Sequence, residues 1–210
     1  MTTGIQLVTT DLRAPRPRPQ PPQARLVPMH STHPARRAFE DFIAERFQRA
    51  HGARLTHFLP HLLGVMDGLG RWQAAAGYAA AGAQTLFLEQ YFDRPVEQAL
   101  GAAVGRPVAR GSIVEVGNLA AISAGMARAL IPQLARHLHR MGYRWVAFTA
   151  TRALRNSFQR LGLAPLPIAA ADRTRLADRG VSWGSYYDQD PLVMAGSISL
   201  GVKAAERPSD

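Results

Sequence analysis

A short apolar stretch near the middle of the chain carries two polar side chains whose types and spacing can do chemistry. Residues 112–120 read SIVEVGNLA, so Glu115 and Asn118 interrupt an apolar strand with Gly117 between them. A buried carboxylate costs free energy unless it is paired, so this placement indicates either a structural ion pair or a reactive group. Two interpretations stay open: Glu115 acts on a substrate, or it pairs with an arginine and pins the sheet.

The spacing of these polar residues predicts a β-bulge. Side chains alternate between the two faces of a regular strand, so Glu115 and Asn118 would otherwise point in opposite directions. A bulge at Gly117 adds one residue to the count, brings both groups to one side and leaves a backbone N–H unpaired. Glycine inside a strand often marks such a bulge or the close approach of a ligand.

The helices and strands predicted on either side of this stretch must hold its polar side chains in place. We predict strands over 61–66, 72–80, 112–122, 143–151, 167–171 and 191–199, and helices over 33–49, 126–141 and 154–161, with a helical pair in 86–104 broken at Pro95. The first two strands form a hairpin. Pro132 should kink its helix, at roughly 3 kcal/mol, unless packing compensates. The order predicts a mixed α/β (α+β) domain with helices on both faces of the sheet.

Length and charge limit the organisation and the partners. With 210 residues and 47% hydrophobic composition, one core and one domain are expected, over 29–201, between a Pro/Arg-rich leader (1–28) and a short tail (202–210). The leader should be extended or disordered. A formal charge of +10 favours an acidic partner: nucleic acid, an anionic membrane surface or an acidic carrier protein. Because the leader has no interleaved aromatic residues for base stacking, we expect no nucleic-acid partner.

Several functional classes are disfavoured by what the sequence lacks. No apolar run approaches the roughly 18 residues that span a bilayer, and no signal-peptide pattern is present, so we expect a cytoplasmic protein without an integral membrane segment. The absence of cysteine removes disulfides, thiolate metal sites and a cysteine nucleophile. No His-Glu-x-x-His motif, Gly-x-Ser-x-Gly elbow or P-loop is present, and we expect no metal site.

Four segments carry a resemblance to a known family. They are LFLEQYFDRPVEQ (86–98), IVEVGNLAA (113–121), WVAFTATRALRNSFQRLGL (145–163) and WGSYYDQDPLVMAG (183–196). Together they resemble the thermostable hemolysin family, which is similar to N-acyl-homoserine-lactone synthases and to the Gcn5-related acyltransferase superfamily. The resemblance implies one acyltransferase-like domain, with a mostly antiparallel sheet and a splayed strand pair.

The activity that the resemblance implies is N-acyl transfer. The acyl group would move from an acyl-carrier-protein or coenzyme A thioester to the amine of an amino acid or a derivative, with no permanently bound cofactor. The family name leaves a second hypothesis open, a membrane-perturbing hemolysin that acts without catalysis. Homoserine-lactone synthases carry Glu-x-x-Arg where this chain has Glu115 to Asn118, and the lost charge argues against a homoserine-lactone product.

Within this resemblance, residues of the four segments receive roles. Glu115 would orient or deprotonate the amine, Asn118 would position the acceptor or the pantetheine arm, and the N–H freed by the bulge would polarise the thioester carbonyl. Substrate-binding candidates are Glu89, Tyr91, Asp93, Thr149, Thr151, Trp183 and Tyr186. For each group a structural interpretation stays open: a solvated helix face for the carboxylates, strand propensity for the threonines and a packed turn for the aromatic residues.

The donor side is assigned by the loop after the long strand. ISAGMA (122–127) occupies the place of the diphosphate-binding loop of coenzyme A-dependent relatives, and Gly125 and Ala127 fit that pattern. Ile122 replaces the polar residue at its head, which weakens the diphosphate contact and favours phosphopantetheine on an acidic acyl carrier protein. Donor-binding candidates are Leu119, Ala120, Gly125, Ala127 and Asn156.

Overall fold

The computed structural model describes residues 26–206, which form a seven-stranded sheet in the order β1-β2-β3-β4-β5-β7-β6. The strands are Leu26–Met29 (β1), His61–Met66 (β2), Trp72–Ala80 (β3), Ile113–Ala121 (β4), Trp145–Ala150 (β5), Leu166–Ala170 (β6) and Leu192–Ser197 (β7). The α-helices are Arg36–His51 (α1), Val96–Val104 (α2), Ala124–Arg140 (α3), Arg152–Arg160 (α4) and Ile198–Ala205 (α5). These residues contain no helix with both the length and the apolar character needed to cross a membrane.

The sheet is antiparallel except where β4 and β5 run parallel. Their pairing extends only from Ile113 opposite Trp145 to Val116 opposite Phe148, although β4 continues to Ala121 and β5 to Ala150. Beyond Val116 the two strands separate, while β4 stays bonded to β3 and β5 stays bonded to β7. The predicted splayed pair is therefore confirmed, and its open edges are held from both sides.

Apolar residues cover both faces of the sheet, as strand alternation requires. Ile113 packs on one face in a cluster that includes Leu88, Val96 and Leu100, before and within α2. The next residue, Val114, packs on the opposite face with Leu130, Leu134 and Leu138 of α3. Helices therefore lie on both faces, which confirms the predicted fold class.

Most predicted elements are present with shifted ends. The hairpin strands have the predicted bounds, and the turn between them is held by Asp67 Oδ1, which accepts from the N–H groups of Leu69 and Arg71. The first half of segment 86–104 forms a 3₁₀ turn, Phe87–Tyr91, instead of an α-helix. α3 continues through Pro132, and its buried apolar stripe offsets the hydrogen bond that proline cannot donate.

Two elements at the ends of the domain were missed. β1 begins at Leu26, inside the span predicted as leader, and contains Pro28; the sheet tolerates this proline because β1 is an edge strand. The apolar run after residue 191 was predicted as one strand, but β7 ends at Ser197 and α5 continues into the predicted tail. Residues 1–25 of the predicted leader lie outside the described residues, so the domain limits stay a prediction.

Candidate active site

The predicted bulge is present in β4, just where β4 leaves β5. Gly117 of β4 lies opposite Gly77 of β3, and Ala120 lies opposite Ala75, so β4 contributes one more residue than β3 to this interval. Asn118 has a φ of 50°, a left-handed conformation typical of a bulged position. The extra residue puts Glu115 and Asn118 on the border of the same cleft, as the spacing predicted.

A cleft of about 840 Å³ opens where the two strands separate. Its centre is bordered by Glu115, Gly117, Asn118 and Thr149. One half has an aromatic lining, formed by Phe47, His51, Phe87, Tyr91, Trp183 and Tyr186. The other half is lined from α3, α4 and α5 mainly by aliphatic side chains, which include Ile131, Leu134, Leu154 and Leu200, together with the Phe158 ring. The cleft can therefore hold an extended ligand that is apolar at one end and polar or aromatic at the other.

Glu115 is the buried carboxylate of this cleft, with only 5% of its surface exposed. Its Oε2 accepts from the backbone N–H of Phe87 at 2.8 Å, and its Oε1 accepts from that of Leu88 at 3.2 Å. No arginine in the described part of the chain pairs with it, so the ion-pair interpretation is wrong for these residues. Burial raises the pKa of Glu115 to about 7, although the two backbone N–H groups oppose this rise. Near neutral pH both protonation states are accessible, as a general base requires.

Within residues 26–206, an arginine pairs with Glu89 and not with Glu115. The Arg110 guanidinium lies 2.7 Å from Glu89 Oε1 and contacts Glu97 at the same distance. Glu89 also accepts from the backbone N–H groups of Leu86 and Val96. Burial by itself raises its pKa, but Arg110 and these N–H groups outweigh burial and lower the pKa to about 2. The acceptor-binding prediction for Glu89 is not supported, because its oxygens are already bonded and it does not border the cleft.

Asp93 also lies outside the cleft lining. Its exposed carboxylate pairs with Arg175 at 2.6 Å on the surface. Tyr91, two residues earlier, does border the cleft: its side chain is buried, and its hydroxyl shares a hydrogen bond with that of Tyr187. Burial raises the pKa of both phenols, that of Tyr187 to about 12, so both are neutral near pH 7. The 3₁₀ turn thus directs Tyr91 toward the cleft and Glu89 away from it.

Asn118 borders the cleft, but its carboxamide is bonded to the protein. Oδ1 accepts from the N–H of Leu59 at 2.8 Å, and Nδ2 donates to the carbonyl of His57 at 3.2 Å. These bonds tie segment 57–59 to the bulge. Asn118 therefore acts on the shape of the cleft. Among the described residues, these two bonds leave one N–H of Nδ2 and one lone pair of Oδ1 unused, so direct contact with substrate stays a prediction.

The remaining substrate-binding candidates border the cleft. Thr149 lies at the end of β5, which is paired with β7 but no longer with β4. Thr151 caps the N-terminus of α4 by accepting from the N–H of Leu154. The Trp183 and Tyr186 rings lie 5.2 Å apart, and the Trp183 ring lies 5.9 Å from that of Phe87. The predicted aromatic wall is therefore present, built from two segments that are distant in sequence.

The donor-side candidates divide into two groups. Leu119, Ala120 and Ala127 border the cleft, whereas Gly125 and Asn156 do not. Asn156 is exposed, because Leu154 and Phe158 occupy the face of α4 that points to the cleft. In the loop before α3, Ser123 Oγ caps the helix by accepting from the N–H of Met126.

Many cleft residues were not predicted, among them Arg46, His51 and His57. Arg46 and His51 share one side of α1 with Phe47 and Ala50, and the Arg46 Nε donates to the carbonyl of Ala121 at 3.1 Å. The His57 ring stacks on Phe87 with 5.5 Å between the ring centres. The helix predicted over 33–49 includes Arg46 but ends before His51, and its pattern assigned neither residue a role. Residues 26–206 contain no group of three metal-binding side chains.

Comparison with protein families matches residues 29–202 to thermostable hemolysin. The chain belongs to the thermostable hemolysin family. No curated protein matches this hemolysin-family chain. The family prediction made from the four segments is confirmed.

Solved structures share the fold of this hemolysin-family chain. LasI, an AHL synthase, matches with a TM-score of 0.59 and 9% identity over 89% of this chain and 99% of its own. FeeM, an N-acyl amino acid synthase from uncultured soil microbes, matches with a TM-score of 0.58 and 16% identity over 85% and 93%. BjaI, a CoA-dependent acyl-homoserine lactone synthase solved with SAM and isopentyl-CoA, matches with a TM-score of 0.53 and 13% identity over 89% and 91%. At these identities the shared property is the acyltransferase-like fold.

Proposed function

We propose that this protein is an N-acyltransferase that moves an acyl group from a thioester to the amine of an amino acid or a derivative. The observation that carries the proposal is the unpaired end of β4 and β5, which opens beside Glu115, a buried carboxylate whose pKa is raised to about 7. Support also comes from neighbours of the same fold, which include an N-acyl amino acid synthase and a CoA-dependent acyl-homoserine lactone synthase. The protein needs no resident cofactor for this chemistry, because the acyl thioester enters as a co-substrate.

The separated strands suit an extended donor arm. Among the described residues, the backbone of β4 beyond Val116 has no partner on the β5 side, and the end of β5 has none on the β4 side. A pantetheine arm carries amide groups that can bond to both edges as an added strand would. Its thioester carbonyl would then face the N–H groups of the bulge at Gly117 and Asn118, which can stabilise developing negative charge. The alkyl part of the acyl group would pack in the aliphatic half of the cleft.

The acceptor enters from the aromatic half in this scheme. Its nitrogen forms a bond to the thioester carbon, the carbon–sulfur bond breaks, and the thiol leaves with one proton. Glu115, in its ionised form, orients the amine and stabilises positive charge on the nitrogen during attack. Tyr91 and Tyr187 remain neutral and provide a polar wall without competing for the proton.

The two possible donors, an acyl carrier protein and coenzyme A, both carry the acyl group on a phosphopantetheine arm. Ile122, at the head of the loop before α3, is 46% exposed and offers no polar contact to a diphosphate. An acyl carrier protein places no diphosphate there, and carriers of this kind are acidic, which suits a chain with a formal charge of +10. We therefore propose the carrier-bound thioester as the preferred donor and acyl-CoA as the alternative.

Mass spectrometry of reaction mixtures tests the proposal. Purified protein is mixed with an amino-acid pool and either an acylated carrier protein or acyl-CoA, and products are compared with those of Glu115→Gln. New amides from the wild type, reduced in the variant, are expected. If neither donor gives an amide, and if wild type and Glu115→Gln release dye from liposomes equally, the non-catalytic hemolysin hypothesis is favoured instead.

A further inference from the structure

A second titratable side chain borders the aromatic half of the cleft. His51 is the last residue of α1, and its ring meets the Tyr186 ring edge-on, with 5.2 Å between centres and 81° between planes. On the other side it lies 6.1 Å from the Phe47 ring. Its Nδ1 is enclosed, and in the described part of the chain it has no hydrogen-bond partner. The His51 ring therefore has a nitrogen, Nδ1, to which no described residue forms a hydrogen bond.

The position of this ring is fixed by a close backbone contact. The His51 carbonyl accepts from the N–H of Ser185 at 2.8 Å and from its hydroxyl at 3.2 Å. At Gly184, where φ is 51°, an added Cβ would lie 2.1 Å from that carbonyl oxygen, so only glycine allows this approach. The end of α1 is thus locked to the aromatic turn 183–187. A rigidly held imidazole with an unused buried nitrogen calls for an explanation, because native proteins retain few such groups.

We infer that His51 accepts the proton that the acceptor's ammonium must lose before its nitrogen can attack the thioester. The inference rests on the proposed function and assigns a residue to its first step. Glu115 keeps the role of orienting the amine, because the backbone N–H groups of Phe87 and Leu88 hold its two oxygens in place. No hydrogen bond to the His51 ring is present within residues 26–206, and because Nδ1 is enclosed, the Nε2 atom is the one that would accept the proton from a ligand in the cleft.

The electrostatic surroundings fit a neutral imidazole. Burial lowers the pKa of His51, which leaves the ring uncharged near pH 7 and able to take a proton. The other charged and titratable groups that border the cleft are Arg46 on the same helix, Glu115 on β4, His57, Lys203 on α5, and Tyr91, Tyr186 and Tyr187. The phenols stay neutral because burial raises the pKa of all three.

The proton balance is complete with groups already named. The ammonium gives one proton to His51, and the neutral amine attacks the carbonyl carbon. The carbon–sulfur bond then breaks. The nitrogen loses its second proton as the amide forms, and the departing thiolate takes up one proton to become a thiol. The imidazolium returns the remaining proton to solvent, so no further reactant is required.

Two acceptor substrates that differ in amine pKa distinguish a proton-accepting role of His51 from a structural role. His51→Gln is compared with the wild type on an amino acid, whose amine is protonated at pH 7, and on hydroxylamine, whose amine is not. The variant should lose about 100-fold in kcat/KM with the amino acid and retain most of its activity with hydroxylamine. The deficit should also shrink as pH rises toward the pKa of the amino acid. His139→Gln, an exposed position on α3 outside the cleft, is the matched control and should behave as the wild type.

Each outcome bears on the inference. An equal loss with both acceptors at every pH assigns His51 a structural role and overturns it, as does an unchanged His51→Gln enzyme. If the wild type makes no amide with either acceptor, the proposed function itself fails and the inference falls with it. If His51→Gln does not fold, the imidazole is titrated by NMR in the wild type with and without an unreactive ammonium ligand. A His51 titration that the ligand leaves unchanged then overturns the inference.

Discussion

At the scale of single residues, two carboxylates of the candidate site, Glu89 and Glu115, differ in the groups that bond to them. Glu89 meets Arg110 and two backbone N–H groups, and its pKa is lowered to about 2. Glu115 is buried and, within residues 26–206, accepts from two backbone N–H groups and no arginine, and burial raises its pKa to about 7. Opposite shifts of this kind separate a structural carboxylate from one able to exchange protons near neutral pH. We therefore propose Glu115 as the reacting carboxylate, whereas Glu89 belongs to an ion-pair network with Arg110.

Replacing Glu115 with glutamine tests its chemical role. The variant keeps similar size and hydrogen-bonding capacity but cannot ionise, so amide formation should fall by about 100-fold or more. Steady-state kinetics on folded protein, verified by circular dichroism, provide the measurement. A variant with wild-type kcat/KM would remove Glu115 from the mechanism.

The raised pKa of Glu115 also predicts how activity and stability depend on pH. The ionised form is needed, so kcat/KM should rise as pH increases through about 7. For stability the sign is opposite: the folded pKa lies above the ordinary value of 4.5, so this group makes the folded state progressively less stable as pH rises from about 4.5 through about 7. Urea unfolding between pH 5 and pH 8 should show this slope in the wild type and a shallower one in Glu115→Gln. Identical slopes would contradict the assigned pKa.

At the scale of elements, the bulge in β4 depends on a glycine in the neighbouring strand. A Cβ at Gly77 would lie 2.9 Å from Asn118 Oδ1 and 3.0 Å from Leu59 Cβ. Glycine at this position thus allows Asn118 to bond to segment 57–59 across β3. The bulge in β4, segment 57–59 and Gly77 of β3 therefore pack together at the point where β4 separates from β5.

Substituting this glycine should damage both stability and activity. Gly77→Ala is expected to lower the free energy of unfolding by about 2 kcal/mol, because the new methyl group overpacks a filled space. Gly111→Ala is the matched control, since a Cβ there meets nothing within 4 Å, and its effect should stay within about 0.5 kcal/mol. Urea unfolding measures both. Equal stability of the two variants would show that the bulge does not need a glycine opposite.

The lock between α1 and the aromatic turn makes a second prediction at this scale. Gly184→Ala forces a clash with the His51 carbonyl and a strained φ, and should cost about 3 kcal/mol of stability. Tryptophan fluorescence should change as well, because Trp183 precedes the displaced residue. Thermal unfolding at the wild-type temperature, with unchanged fluorescence, would contradict the described contact.

At the scale of the whole molecule, local patterns identified most of the sheet and part of the site. The hairpin bounds follow from alternation and a tight turn, and the bulge follows from the count between Glu115 and Asn118. The ion pairs of two acceptor-binding candidates, Glu89 and Asp93, could not be predicted because their partners are remote in sequence: Arg110 is 21 residues from Glu89, and Arg175 is 82 from Asp93. His51 was missed for the same reason, since it gains its place through Ser185, 134 residues away. Periodicity reports which face of an element is buried, but not which distant group it will meet.

The formal charge of +10 makes a prediction about the donor. The exposed faces of α3 and α4, which flank the aliphatic half of the cleft, carry Arg136, Arg140 and Arg160. With an acidic carrier as donor, kcat/KM should fall by about tenfold when salt rises from about 0.05 M to 0.5 M, because screening shortens the range of attraction. Acyl-pantetheine, which lacks the acidic carrier, is the control donor and should show little salt dependence. Equal salt dependence for both donors would remove the carrier from the account.

The most direct test of the central claim is to locate the donor arm by NMR. A stable thioether analogue of acyl-pantetheine is titrated into isotope-labelled protein, and the backbone amide signals are followed. We expect the largest shifts at Gly117, Asn118 and Thr149, where the facing edges of β4 and β5 have no partner among the described residues. If the analogue binds and those three amides stay unshifted, the arm does not enter between the strands, and the proposed transferase mechanism is wrong.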